Sequence, residues 1–227
     1  MKNILLFCLL ATFISKSFSQ KLVPTDKLAL LTGTVTNFKG KALSKETVMF
    51  VNEKTKSEIK VNTNAAGKFE ALVPVNVTYI LKYKNFTTDM DYTKMTIPAD
   101  KEASYEVKIR IDPPKEFVLD NVYFDTGKAT LKPNSHKALN DLVEVLKLKN
   151  TMVIEIQGHT DNAGNADDNL KLSQQRAESV KMFLVSKGID AGRITAKGYG
   201  QTLPVADNGD EPGKAKNRRT SLKVIKE

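Results

Sequence analysis

The hydrophobic periodicity of this chain changes at Pro113-Pro114, and this change limits the folds that the chain can form. Before the prolines, residues 77–83 and 105–111 are apolar at every second position, which is typical of strands with one buried face. Two consecutive prolines lack N–H donors and hold the chain extended. We therefore predict that residues 113–116 form a linker between two separately folded parts.

The N-terminal half, residues 20–112, is predicted to be all-β. Shorter apolar runs at 30–36, 48–51 and 68–73 are separated by clusters of turn-forming residues such as those at 62–67. About seven short strands at this spacing are typical of a β-sandwich.

The C-terminal half, residues 117–227, alternates between two periods. Apolar positions at helical spacing predict helices, and short apolar runs predict strands. The predicted strands are 117–124, 152–157, 193–199 and 220–225, and the predicted helices are 134–149 and 173–187. The order β-α-β-α-β-β predicts an α+β fold in which helices cover a mixed sheet.

The first 19 residues resemble a secretory signal peptide. Lys2 precedes an apolar run at 4–14, and Ser17-Phe18-Ser19 places small residues before a cleavage point. The run is too short to span a bilayer, which takes roughly 20 apolar residues. We therefore expect a periplasmic protein.

The single cysteine, Cys8, lies inside this apolar run. A lipoprotein signal requires small residues before its cysteine, and Leu6-Phe7 do not fit, so we expect no lipid attachment. A mature chain without a thiol would contain no disulfide and no thiolate metal site.

The charge distribution argues against a nucleic-acid partner. The formal net charge is +9, but basic and acidic residues alternate except at 214–219. A nucleic-acid-binding protein usually has a basic stripe with aromatic residues for stacking. A mildly basic, solvated surface suits a negatively charged wall or membrane surface instead.

Three segments resemble cofactor or metal motifs only in part. Residues 126–129 lack the first glycine and the hydroxyl of a phosphate loop, and 198–203 lack the third glycine of a dinucleotide site. Residues 161–172 lack the final glutamate of a calcium loop. A catalytic triad of Ser173, His159 and Asp161 has no strand–elbow–helix serine. The sequence therefore predicts no cofactor, no metal and no enzyme, with His159 as a structural residue.

Asp161 and Arg176 remain as candidate functional residues. Asp161 follows a predicted strand, and open α/β sheets bind ligands beyond the carboxyl ends of their strands. Arg176 lies at the edge of the apolar stripe of the next helix, where it must reach outward or find an anion. Spacing alone leaves two interpretations: a direct salt bridge between them, or a site for a small zwitterion.

The segment GHTDNAGNADDNLKLSQQRAESVKMFL closely resembles the peptidoglycan-binding segment of the OmpA-like family. The resemblance continues through VYFDTGKATLKP, ITAKGYGQTLPVADN and KNRRT and covers about residues 117–226. It implies that Asp161 binds the ammonium and Arg176 the carboxylate of diaminopimelate in the stem peptide. Asn169 would hydrogen-bond the peptide, and Asp125 and Arg219 would line the pocket. A carboxylate suits an ammonium, and a planar guanidinium suits a carboxylate.

The N-terminal half weakly resembles the carboxypeptidase-regulatory-like (transthyretin-like) sandwich, in LTGTVTNFKGKAL and TNAAGKFEALVP. That family serves as a spacer or partner-binding module. The whole chain is thus predicted to bind diaminopimelate-type peptidoglycan without catalysis. Its N-terminal half would contact an outer-membrane or envelope assembly.

Two other functions stay open at this point. A wall or glycan hydrolase would use Asp161 with Asp167 or Asp168 as an acid/base pair. A glycan-binding adhesin would use the N-terminal sandwich.

Overall fold

The computed structural model describes residues 21–84 and 89–226. The predicted signal peptide lies outside the described residues. The fold class predicted from the sequence, an α+β fold preceded by a small all-β sandwich, is confirmed.

The N-terminal half contains seven described strands. They are β1 (Leu28–Thr36), β2 (Thr47–Asn52), β3 (Glu58–Asn62), β4 (Lys68–Pro74), β5 (Val77–Lys84), β6 (Asp89–Ile97) and β7 (Ser104–Arg110). They form one sheet in the order β4-β1-β7 and another in the order β3-β2-β5-β6.

A single apolar core lies within this half. Strand β1 alternates between buried and half-buried residues along its length, as the period of two in its sequence predicts. Phe50, on β2, packs against the rings of Phe69 and Tyr79 at centroid distances of 5.9 and 6.3 Å. Two further strands, β3 and β6, were not individually predicted, because their residues are largely exposed and polar.

The described residues of the C-terminal half form four strands and three α-helices, with two 3-10 helices at Pro133–Ser135 and Ala191–Arg193. The strands are β8 (Glu116–Val118), β9 (Val153–His159), β10 (Ile194–Gly200) and β11 (Thr220–Lys226), and the helices are α1 (His136–Leu148), α2 (Ala166–Ser186) and α3 (Glu211–Asn217). The sheet order is β10-β9-β11-β8. Strands β9 and β10 are parallel, and β11 is antiparallel to both β9 and β8.

The apolar stripes of α1 and α2 form one core with the sheet. Leu139 and Leu142 of α1 are fully buried, as are Val180 and Leu184 of α2. They pack in the same cluster as Ile154 and Ile156 of β9. The helical periods read from the sequence therefore identified the buried faces of both helices.

Two boundaries differ from the prediction by more than two residues, and one α-helix was not predicted. The strand predicted over 117–124 ends at Val118, because Asn121 takes a positive φ of 63° and turns the chain. Helix α2 begins at Ala166 rather than Ser173, since the Asn165 side chain accepts the backbone N–H groups of Asp167 and Asp168 and caps the helix. The short helix α3 was not predicted.

The two halves are in contact. Lys149, after α1, forms a salt bridge of 2.6 Å with Glu46, whose side chain is 8% exposed. The linker continues into the C-terminal sheet, because the carbonyl of Lys115 accepts a hydrogen bond from Val224 N. No described helix is both long enough and apolar enough to cross a membrane.

Candidate functional site

The candidate site lies where β9 ends and α2 begins. Helix α2 packs unusually close to the sheet here: a Cβ atom on Gly158 would lie 2.1 Å from the carbonyl oxygen of Ser173, and one on Gly198 would lie 2.4 Å from Gln174 N. Only glycine allows this approach. It brings the loop after β9 and the first turns of α2 to one end of the sheet.

A cleft of about 660 Å³ opens at this end. Three of the five residues predicted to bind ligand line it, namely Asp161, Asn169 and Arg176. The full lining is Val122, Tyr123, Phe124, Thr126, Gly127, Lys132, Asn134, Thr160, Asp161, Ala163, Asn169, Leu172, Arg176 and Arg218.

The carboxylate of Asp161 is nearly buried and is held by two donors. The residue is 8% exposed. Its Oδ1 accepts the backbone N–H of Ala163 at 3.0 Å, and its Oδ2 accepts Nη1 of Arg218 at 2.7 Å. Burial alone would raise the pKa of Asp161, but the hydrogen bonds and charge of Arg218 and the Ala163 N–H outweigh it, so the pKa lies below its usual value. Asp161 is therefore an anion at neutral pH.

Arg176 is half-buried and lines the same cleft. Its Nε donates to the carbonyl of Lys128 at 3.0 Å, and its Cζ lies 5.2 Å from the centre of the Phe124 ring, a cation–π distance. Burial lowers the pKa of Arg176, and the charge of Asp161 partly offsets this. Among the described residues no salt bridge joins Asp161 to Arg176, because Asp161 pairs with Arg218. The direct bridge considered from spacing is thus not formed.

Asn169 lies in the first turns of α2 and forms hydrogen bonds with the loop between β9 and α2. Its Nδ2 donates to the carbonyl of Ala163 at 2.9 Å and to Oε1 of Gln201 at 3.1 Å. Its Nδ2 also lies 3.4 Å from the carbonyl of Asp161. The side-chain oxygen receives no hydrogen bond from the described part of the chain.

The other two predicted residues do not line the cleft. Asp125 lies in the turn before Gly127, and its neighbours Phe124 and Thr126 form the wall instead. The side chain of Arg219 lies elsewhere, where its Nη2 donates to the carbonyl of Leu203.

Arg218, which the sequence reasoning missed, takes the place expected for Arg219. Adjacent residues entering a strand project to opposite faces, so only one of the two arginines can face the cleft. The sequence shows the pair but not which member does so.

His159 is buried behind the cleft and stacks on Tyr199 with ring centroids 5.4 Å apart. Its Nε2 lies 3.1 Å from Oγ of Ser221. Burial, with the charge of Arg219, lowers the pKa of His159 to about 4, so the ring is neutral at pH 7. Among the described residues no group of three or more histidine, aspartate or glutamate side chains could hold a metal ion.

Comparisons with known proteins match this half of the chain. The OmpA family model matches residues 123–218. The probable lipoprotein YiaD of Escherichia coli is 43% identical over 103 residues, which cover 45% of this chain and 47% of that protein. The peptidoglycan-associated lipoprotein of Buchnera aphidicola is 39% identical over 103 residues, covering 45% and 60%.

A solved structure is also similar. The peptidoglycan-associated lipoprotein from Burkholderia pseudomallei shares 32% sequence identity, covers 49% of this chain and 90% of that chain, and superposes with a TM-score of 0.44.

The curated relatives match this chain over only part of their own length. The matched segment spans between 13% and 61% of the length of the curated relatives compared. Their names include outer membrane porins, outer membrane protein A and lipoproteins. Residues 123–218 of this chain form an OmpA family domain.

Proposed function

We propose that this protein binds peptidoglycan non-covalently and anchors an envelope assembly to the cell wall. The observation that carries the proposal is the cleft of the OmpA family domain, in which Asp161 and Arg176 face one space without pairing to each other. Similarity to a protein named peptidoglycan-associated lipoprotein supports it.

The ligand group is the side-chain end of diaminopimelate in the stem peptide, which has an ammonium beside a carboxylate. An ionised carboxylate accepts about four hydrogen bonds, and Asp161 uses two of them within the protein. The ammonium takes the remaining ones. The Nη groups of Arg176 donate to the ligand carboxylate in a two-pronged contact, because its Nε is already bound to the Lys128 carbonyl.

Three residues make contact in this proposal. Asn169 offers its side-chain oxygen to a peptide N–H, while its Nδ2 keeps the loop in place. Arg219 and Asp125 support the walls from outside the cleft, which changes the roles that the family resemblance implied for them.

The proposed function includes no catalysis. A hydrolase would need a second carboxylate close to Asp161 and a carboxyl with a raised pKa. The pKa of Asp161 is lowered, and Asp167 and Asp168 are exposed in the first turn of α2. There their carboxylates stabilise the positive end of the helix dipole.

The protein would act in the periplasm, in association with the outer membrane and the wall. The relatives named as outer membrane proteins and lipoproteins support this location. The N-terminal half would then connect the anchor to an outer-membrane or envelope protein.

The experiment is sedimentation of the full chain with purified diaminopimelate-type wall. Arg176→Gln and Asp161→Asn should each weaken binding about 10- to 150-fold, since each loses a charge-assisted contact worth about 1.5–3 kcal/mol. Asp167→Asn and Arg110→Gln serve as matched controls, because both residues are exposed and outside the cleft. Soluble muropeptides are measured in the same tubes. Their release, or loss of binding only in the controls, would contradict the proposal.

A further inference from the structure

Arg218 joins two carboxylates on opposite sides of its guanidinium. Its Nη1 lies 2.7 Å from Oδ2 of Asp161, and its Nη2 lies 2.6 Å from Oε1 of Glu211. Glu211 is in the first turn of α3, and Arg218 immediately follows the last residue of that helix. The short helix thus supplies both an arginine at the cleft and a carboxylate that holds the arginine in place.

Without such restraint, the charges of Asp161 and Arg176 in the cleft would pair with each other. Asp161 and Arg176 carry opposite charges in one cleft and interact electrostatically, and opposite charges in a half-buried site attract strongly. If they paired, the anion and the cation would both be lost to a ligand. Each is instead held by other groups: Arg176 by the Lys128 carbonyl and the Phe124 ring, and Asp161 by Arg218 and the Ala163 N–H.

We propose that Arg218, fixed by Glu211, is a positioning residue that keeps Asp161 apart from Arg176, so that both charges remain available to a zwitterionic ligand. The proposal rests on the proposed function and deepens it, because it names what keeps the ammonium position open. Preorganised sites of this kind bind more tightly because the ligand does not first have to break an internal pair.

Arg218 does not compete with the ligand. Asp161 retains unused acceptor positions on both oxygens, so an ammonium can bind while Arg218 stays in place. An arginine suits this role better than a lysine, because its planar fork can bind two carboxylates at once.

The charged groups around Asp161 make the arrangement measurable without any ligand. Arg218, Lys214 and Arg176 are the cations that face its carboxylate. Arg218 contributes the only side-chain hydrogen bond to that carboxylate from the described residues. Removing this bond alone should let Asp161 pair with Arg176, which keeps the pKa of Asp161 low, so this pKa should rise clearly only when Arg218 and Arg176 are both replaced.

The test compares the full chain with Arg218→Gln, Arg218→Lys, Glu211→Gln, Arg176→Gln, the double variant Arg176→Gln/Arg218→Gln and the control Arg110→Gln. Carbon-13 NMR gives the pKa of Asp161 in each protein without ligand. Calorimetry gives the affinity for two soluble stem tripeptides, L-Ala-γ-D-Glu with either diaminopimelate or lysine at the third position.

Arg218→Gln should leave the pKa of Asp161 low, because Asp161 then pairs with Arg176, and this pKa should rise only in the double variant. Arg218→Gln should weaken binding of the lysine tripeptide about tenfold and of the diaminopimelate tripeptide by more, because the new pair removes the ammonium contact from both and the carboxylate contact from the second. Arg218→Lys should give an intermediate loss. Glu211→Gln should weaken binding by less than about fivefold, since Glu211 is exposed and exposed ion pairs are weak. Arg110→Gln should change neither quantity.

Two results would overturn the inference. An equal Asp161 pKa in Arg176→Gln and in the double variant Arg176→Gln/Arg218→Gln would show that Arg218 does not hold this carboxylate. A loss confined to the diaminopimelate tripeptide would mean that Arg218 binds the ligand carboxylate directly.

Failure of the unaltered chain to bind either peptide would refute the proposed function and the ligand part of this inference together. The NMR titration without ligand would still report separately on the contact between Arg218 and Asp161.

Discussion

Replacing Gly158 with alanine should destabilise the C-terminal half and weaken ligand binding together. Gly158 lies on β9, directly against α2, and the added Cβ would be 2.1 Å from the carbonyl oxygen of Ser173 and 2.8 Å from its carbonyl carbon. The contacted atoms are backbone, so no side-chain rotation relieves the clash. Helix α2 must move by about 1 Å or more before the contact becomes ordinary, since packed interiors leave little free space.

The magnitude follows from this geometry. Inserting a methyl group into a well-packed core costs about 1–3 kcal/mol. We expect the upper end, about 3 kcal/mol, because Gly198 packs equally closely against Gln174 and stops the helix from shifting along the sheet. Helix α2 carries Arg176 and β9 leads to Asp161, so the same shift should lower ligand affinity at least about tenfold in the protein that remains folded.

The assay is urea unfolding followed by circular dichroism, with hydrogen exchange of the β9 and α2 amides to locate the loss. Gly188→Ala is the matched control, because nothing lies within 4 Å of the added Cβ, the residue does not line the cleft, and only its positive φ of 90° opposes the change. The control should cost about 1 kcal/mol. A Gly158→Ala protein as stable as this control, with unchanged affinity, would refute the account of close packing at the cleft.

Two further predictions concern buried polar groups. Asn217→Ala should lower the free energy of unfolding by about 3 kcal/mol and increase hydrogen exchange in residues 201–210. The reason is that the fully buried Asn217 side chain hydrogen-bonds Val205 N, both backbone groups of Ala206, and Asn208. Slow exchange in this loop would contradict the prediction. The lowered pKa of His159, about 4, means that between pH 6.5 and 4 the unfolded chain binds a proton that the folded chain does not. The free energy of unfolding should therefore fall with decreasing pH by up to about 1.4 kcal/mol per unit in that range. His159→Gln should flatten this slope, and equal slopes in the two proteins would refute the prediction.

Much of the fold could be predicted from the sequence because a strand or helix with one buried face has apolar residues at a regular spacing along the chain. Strict alternation identified β5 and β7, and the helical stripe identified α1. The start of α2 could not be predicted in this way, since its first two turns have no apolar stripe: Leu170 is exposed, and the buried residue is the polar Asn169. The signal was the capping residue Asn165, whose side chain accepts two backbone N–H groups, rather than any apolar position.

The site was predictable in part for a similar reason. Asp161 and Arg176 could be selected because each lies at a defined position of an element that the apolar pattern predicts: Asp161 follows a strand, and Arg176 lies on a helix. Arg218 could not be distinguished from Arg219, because the choice depends on where the strand after α3 begins. The role of Glu211 depends on α3, which at seven residues is too short for periodicity to reveal.

The most direct test of the central claim is a comparison of two purified walls. Diaminopimelate carries a carboxylate beside its terminal ammonium, and lysine at the same wall position carries the ammonium alone. If Arg176 binds that carboxylate, the full chain should bind the diaminopimelate wall about 10- to 150-fold more tightly. Arg176→Gln should erase most of this preference without a change in melting temperature of more than a few degrees. Equal binding of the unaltered chain to the two walls would contradict the claim that the cleft recognises a zwitterion.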